Sequence, residues 1–296
     1  MKIVECVPNF SEGCRMDVVE KILDAIRGVE GVKILDKSSD PSHNRTVVTF
    51  VGDPQGVKKA AFKAAEKAAE LIDMEEHQGE HPRIGATDVI PLIPISGVTM
   101  DECVELAQEL GKEIGENLEI PVFLYEEAAS RPERKNLAHV RRGQYEGLKE
   151  DISKPERNPD FGPARLHPRA GATAVGARPP LVAYNIDLDT DKVEIAKAIA
   201  KTIRGSSGGY PSIKALGVLI EETNTAQVTI NVCNFREVSL ARVFETVKRE
   251  AERYGVSITG SEIVGLVPME ALLDAATFYL RLTGFQADQV LERSLK

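Results

Sequence analysis

The segments LVAYNIDL (181–188), KVEIAKAIAKTIR (192–204), KALGVLIEE (214–222), AQVTINVCNF (226–235), LARVFETVKREAERYG (240–255) and VSITGSEIVGLV (256–267) follow one another along the chain. The first, third, fourth and sixth alternate apolar and polar residues as strands do, whereas the second and fifth repeat apolar residues at helical spacing. The short TNT link at 223–225 suits a hairpin between the third and fourth segments. The resulting order, β-α-β-β-α-β, is that of a ferredoxin-like unit, a sheet with its helices packed on one face.

The preceding residues approximate the same scheme. KIVECVPNF (2–10), MDVVEKILDAIRGV (16–29), VKILDKSS (32–39), RTVVTFVG (45–52) and VKKAAFKAAEKAAELI (57–72) read as strand, helix, strand, strand and helix. A strand DVIPLIPI (88–95), a helix over 99–117 and a strand PVFLYEEA (121–128) extend the pattern. The fold class expected is therefore α+β, with two ferredoxin-like subdomains over residues 1–177 and 178–296. A chain of 296 residues is long enough for two cores of about 150 residues each. Between the halves, SKPERNPDFGPARLHPRAGATAVGARPP (153–180) reads as a long loop, and loops of that length are usually functional or linking.

Composition narrows the function. Apolar residues make up 42% and charged residues 28%, as in ordinary globular proteins. A net charge of −9 argues against general nucleic-acid binding. Residues 131–178 run the other way, with eleven Lys or Arg against six Asp or Glu, so a small anion can be drawn there; a solvated basic surface explains the same bias. The N-terminus lacks a secretory apolar core and no stretch is long and apolar enough to span a membrane, which leads to an expected cytoplasmic location. Cys6, Cys14, Cys103 and Cys233 form no C-x-x-C pair, so neither a disulfide framework nor a zinc knuckle is suggested.

One fragment occurs twice. HPRIGAT begins at His81 and HPRAGAT at His167, identical in six of seven positions. HQGEH (77–81) also has the H-x-x-E-H spacing of inverted zinc peptidases, but Gly79 and Pro82 make the required helix hard to build. The same residues end the Ala-rich helix near Glu76 and leave His81 on a loop feeding a strand. There it can act as a base near neutral pH, with Glu80 to orient it and Arg83 as a fixed fork for a carboxylate. His81 and Arg83 as exposed loop residues without partners is the plainer alternative. His167 lies in the basic segment, whose glycines permit close backbone approach to a flat or anionic ligand and equally suit a hinge. Asn9 and the run His43, Asn44, Arg45 stand at strand ends, where turn residues are common and polar groups also gather into sites. RGSSGGYP (204–211) lacks the Gly-Lys-Ser/Thr ending of a phosphate loop, and no G-x-S-x-G elbow occurs.

VECVPNFSEG (4–13), NRTVVTFVG (44–52), GEHPRIGATDVIPLIPISGVTMDECV (79–104), RRGQYEGL (141–148), PDFGP (159–163), GATAVGAR (171–178) with AYNI (183–186), and GLVPMEALLDAA (265–276) together resemble the glutamate formimidoyltransferase family, the formiminotransferase part of formimidoyltransferase-cyclodeaminase. The resemblance implies transfer of a formimino group from N-formimino-L-glutamate to N5 of tetrahydrofolate, with release of L-glutamate, in histidine degradation. It implies tetrahydrofolate as co-substrate, no metal, two α/β subdomains and a homodimer. Cyclodeaminase activity is expected on a separate protein.

Carried over position by position, His81 matches the family's catalytic histidine. Gly162, Pro163, Ala164, Arg165, Leu166, His167, Pro168, Arg169, Ala170 and Gly171 match its folate-binding segment. The family pattern does not require a histidine at 167, so His167 goes to the ligand segment and not to catalysis. Asn9, Arg45, Arg83 and Arg178 are expected to bind substrate, the arginines through its carboxylates. Formyl transfer between N-formylglutamate and a tetrahydrofolate would use the same motifs and is the alternative reaction. A folate-binding module without catalysis is the non-enzymatic one.

Overall fold

The computed structural model describes residues 1–294 and divides into two compact units at the Pro179–Pro180 junction. The first unit contains β1 (Ile3–Cys6), β2 (Asn9–Phe10), α1 (Met16–Arg27), β3 (Lys33–Asp40), β4 (Arg45–Gly52), α2 (Pro54–Leu71), β5 (Thr87–Ser96), α3 (Met100–Asn117), β6 (Val122–Glu126), α4 (Leu137–Val140), α5 (Gln144–Asp151) and β7 (Thr173–Ala177). Its seven strands form one sheet, with β3 at one edge on β4, then β1 and β2 sharing the place between β4 and β5, then β7 and finally β6. All pairings are antiparallel except β5–β7 and β6–β7, which are parallel.

Local chemistry sets the helix boundaries. Asp53 caps α2 by accepting from the amides of Gln55 and Gly56, and Pro54 stands at the first helical position, where its missing N–H costs nothing. Thr99 and Glu102 form a reciprocal capping box at the start of α3. The Ala-rich helix stops at Leu71, five residues before the boundary expected near Glu76, because Ile72 takes an extended backbone conformation and is buried.

Two features depart from the sequence reading. Residues 153–180 are not one loop, since β7, TAVGA, lies within them and pairs on both sides. Its small residues conceal the strand but are what the site demands: a Cβ on Gly176 would lie 2.5 Å from the Tyr125 carbonyl oxygen. The expectation that helices cover a single face also fails for β5, β6 and β7. Ile90, Leu92, Val122, Leu124 and Val175 face the core under α1–α3, whereas Val89, Phe123, Tyr125 and Ala174 face a second core closed by Val140 of α4 and Leu148 of α5. The strands are buried on both sides, as parallel strands usually are.

The second unit contains β8 (Val182–Leu188), α6 (Val193–Ile203), β9 (Ile213–Ile220), β10 (Thr225–Val232), α7 (Leu240–Arg253), β11 (Ile258–Val264) and α8 (Met269–Leu280). Its antiparallel sheet runs β11-β8-β10-β9, and the inward residues Val182, Tyr184, Ile186 and Leu188 of β8 pack with Ile199 of α6 and Val243 and Val247 of α7. The β-α-β-β-α-β order read from the sequence is the order observed. Among the described residues, no helix is long and apolar enough to cross a membrane.

Gly147 offers a simple check on local packing. It lies inside α5 and a Cβ built there meets nothing within 4 Å. Gly147→Ala is expected to stabilise the protein by about 0.5–1 kcal/mol, because alanine loses less backbone entropy in a helix; chemical denaturation of both forms measures it.

Candidate active site

The two copies of the heptapeptide lie side by side. Gly85 bridges to Gly171, the amide of Ala86 donates to the carbonyl of Ala170 at 2.8 Å, and the amide of Ala172 donates to that of Ile84 at 2.9 Å. Each copy then enters its own strand, β5 or β7, and the hydroxyl of Thr173 donates to the carbonyl of Thr87 at 2.5 Å. Glycine is required at both bridging positions: a Cβ on Gly85 would lie 1.9 Å from the Ala172 oxygen, and one on Gly171 2.5 Å from the Ile84 oxygen. The repetition therefore serves a close crossing of two backbones at the head of parallel strands.

The same crossing reassigns the glycines of the basic segment. Gly162 has φ +80° and packs against the carbonyl of Ile120, while Gly171 faces Ile84, so both glycines approach protein and neither forms an open cradle for a ligand. His167 Nδ1 accepts from the amides of Ala170 at 3.0 Å and Arg169 at 3.3 Å, which makes it a staple of its own turn. Arg165 and Arg169 point outward, with Glu119 and Asp73 at 3.4 and 3.3 Å as their carboxylate partners.

His81 stands four residues before the crossing, on a loop as expected, and Ser11, His43, Asn44, Arg45, His77, Arg83 and Asp88 line the space beside it. That space is too tight for a water molecule. Asn44 organises it. Its backbone is left-handed at φ 45°, a conformation asparagine tolerates, and its side chain accepts from the amide of Gly13 at 2.9 Å and donates to the carbonyl of Gln78 at 2.8 Å. Its own carbonyl accepts from His77 Nε2 at 3.0 Å. His77 is thereby a neutral ring with its proton on Nε2, and its Nδ1 accepts from Arg83 Nε at 3.2 Å. Residues 77–81 are not helical, so the H-x-x-E-H geometry required by the zinc reading is not formed.

Arg83 is buried and fully engaged. Its guanidinium grips the carboxylate of Glu146 with two hydrogen bonds of 2.9 and 2.6 Å, and it also reaches Gln144 and the carbonyl of His77. This bidentate fork ties the His81 loop to α5. Arg45 is different, because its NH1 donates to His81 Nε2 at 2.5 Å and it makes no ion pair among the described residues. A guanidinium can only donate, so His81 Nε2 is the acceptor, and in the neutral ring the proton sits on Nδ1 while the lone pair on Nε2 faces Arg45. Burial, then the nearby charges of Arg45 and Arg141, push the pKa of His81 down to about 3. The ring is neutral at every physiological pH.

Of the other expected contacts, Asn9 donates to the carbonyl of Val7 at 3.1 Å and does not line the cluster. Arg178 follows β7 at its far end, its amide bonded to the Leu92 carbonyl, about 20 Å along the strand from the crossing at Gly171. The structure thus joins His81, Arg45 and Arg83 and leaves Asn9 and Arg178 outside. Sequence reading missed two charged members of the neighbourhood. Asp88, only 2% exposed, accepts from the amide of Ile84 at 2.9 Å and from NH2 of Arg141. A signal existed for each: Asp88 directly follows the first heptapeptide where the second is followed by Ala174, and Arg141 opens the RRGQYEGL motif.

Comparison with known proteins completes the picture. The Formiminotransferase domain, N-terminal subdomain, matches residues 3–178, and the Formiminotransferase domain matches residues 183–292. The chain belongs to the formiminotransferase family. A glutamate formimidoyltransferase of Streptococcus pyogenes serotype M1 is 52% identical over 295 residues, covering 99% of each chain, and one of Thermoplasma acidophilum is 50% identical over 298 residues, covering all of this chain and 98% of the other. The formimidoyltransferase-cyclodeaminase of Rattus norvegicus is 46% identical over 94% of this chain, which spans 52% of that formiminotransferase relative's length.

Proposed function

We propose that this chain is a glutamate formimidoyltransferase that moves the formimino group of N-formimino-L-glutamate to N5 of tetrahydrofolate, in histidine degradation. The observation that carries this reading is the full-length similarity to two proteins of that name at 50–52% identity. His81 is the general acid/base. As the bond between the formimino carbon and N5 forms, His81 takes the N5 proton; as the bond from that carbon to the glutamate nitrogen breaks, it returns a proton to that nitrogen. Proton transfer by a positioned side chain contributes about 10²–10⁴-fold, and aligning two bound substrates up to about 7–11 kcal/mol.

Tetrahydrofolate supplies the accepting amine. Residues Gly162–Gly171 are its binding segment, and what they offer an anionic folate tail is the outward pair Arg165 and Arg169, the first held by the exposed Glu119 and the second by the half-buried Asp73, pairings that a ligand can displace. Arg45 receives a substrate carboxylate. Arg83 positions the His81 loop through Glu146, and Asn9 and Arg178 are left for more distant parts of the substrates. We read the subdomains as residues 1–177 and 178–296, each built on a ferredoxin-like core, and the working unit as a cytoplasmic homodimer, with cyclodeaminase activity on a separate protein.

The test is a steady-state assay with tetrahydrofolate and either N-formimino-L-glutamate or N-formyl-L-glutamate, the folate product being identified chromatographically. Formimino transfer with release of glutamate is expected. Turnover of the formyl donor alone would assign the alternative reaction, and folate binding without turnover of either would reduce the protein to a binding module.

A further inference from the structure

A general base needs an accessible lone pair, and the lone pair of His81 is covered. Its Nε2 accepts from Arg45 at 2.5 Å, in a space with no room for water. Before His81 can take a proton from any substrate, Arg45 must leave. The charged groups around it indicate what draws it off.

From the end of β3 comes Asp40 and from the turn after it His43, bound to one another at 2.6 Å and both about half exposed. The His43 ring centroid is 6.2 Å from that of His81. The loop before β5 contributes His77, neutral, and Arg83, which is paired with Glu146. Glu12, behind His77, is paired with Arg15. β5 contributes Asp88 and the residue after α4 is Arg141, and these two are paired. Arg45 remains, half-buried and without a carboxylate of its own. Arg141 is also incompletely satisfied, because its Nε is buried and meets no acceptor. Two guanidiniums thus share one buried carboxylate beside His81, with the exposed and already engaged Asp40 as the other negative charge in reach of Arg45. Removing a guanidinium from water without a matching anion is costly, and a carboxylate supplied by a ligand would relieve that cost.

Resting on the reading of a glutamate-derived donor, we propose that Arg45 is a latch on the catalytic histidine: in the free protein it caps His81 Nε2, and when the donor binds it swings to the donor's carboxylate, with Arg141 as the second guanidinium of that carboxylate site. The base is then uncovered only beside its substrate. Water and stray electrophiles meet a capped ring, and both arginines discriminate against donors that lack the carboxylate.

The wild-type protein decides the question through the ring nitrogens of His81, followed by NMR of ¹⁵N-histidine-labelled protein with L-glutamate as the probe and sodium chloride at matched ionic strength as control. In the free protein the ring is expected to stay neutral below pH 5, and at saturating glutamate its midpoint should rise by at least one pH unit. Arg45→Gln should raise the midpoint without ligand and abolish the response. Arg141→Gln should raise the free midpoint less than Arg45→Gln does, keep the response to glutamate, and require about tenfold more glutamate.

Glutamate that binds without moving the His81 midpoint, in a protein that still transfers the formimino group, would overturn the latch and leave the function intact. A glutamate-dependent shift in a protein that turns over neither donor would support the latch while overturning the proposed reaction. Neither shift nor turnover would overturn both.

Discussion

Gly85→Ala is expected to destabilise the first unit by about 3 kcal/mol or more, lowering its melting temperature by roughly 6–12 °C in a thermal scan. The added Cβ would lie 1.9 Å from the Ala172 oxygen and 2.6 Å from the Ala170 oxygen, and both atoms are main chain. A flexible side chain could turn aside, but a backbone must shift, together with the bonds from Ala86 to Ala170 and from Ala172 to Ile84. Those bonds align β5 with β7, which lie in the middle of the sheet between two cores. The effect should reach activity as well, since only Pro82, Arg83 and Ile84 separate His81 from Gly85. Gly147→Ala is the matched control, the same chemical change where the space is open. If Gly85→Ala melted like the wild type, the two heptapeptides would not be crossing as described.

The crossing shows what was and was not legible in the sequence. The repetition of HPR-x-GAT was visible at once, and so were the strands that each copy enters or precedes wherever the residues were branched and apolar, as in DVIPLIPI. TAVGA hides its strand because small residues carry no period, although smallness is the requirement of a strand squeezed beside Tyr125. His81 was placed on its loop by Gly79 and Pro82. Gly79 has a further reason to be glycine that no local pattern reveals, since a Cβ there would lie 2.4 Å from the His43 oxygen. Partnerships were out of reach for the same reason. Arg83 looked like a free fork for a ligand, yet its carboxylate is Glu146, 63 residues away, and Arg141 finds Asp88 across 53. Short-range periodicity reports faces of elements and is silent on pairs that only the sheet order brings together.

His81→Ala is expected to lower kcat for formimino transfer by about 10²-fold or more, with a smaller change in KM for either substrate. The argument is one of position. His81 is neutral, its proton is on Nδ1 and its lone pair on Nε2, so it is in the protonation state a base requires at neutral pH. With Arg45 in place it is a weak base, because a group titrating near pH 3 has little drive to take a proton from an amine; release of Arg45 and closure of a carboxylate on that arginine restore the basicity the step needs. His77 is no substitute, since both of its ring nitrogens are committed to Asn44 and Arg83, and His43 is bound to Asp40 at the exposed rim. His81→Asn, which can still accept from Arg45 but cannot accept a substrate proton at neutral pH, separates placement from proton transfer. Folate and glutamate binding near wild-type levels with kcat as low as in the alanine variant would mark a chemical role, whereas recovery of turnover in the asparagine variant would mean that His81 merely holds Arg45 in place.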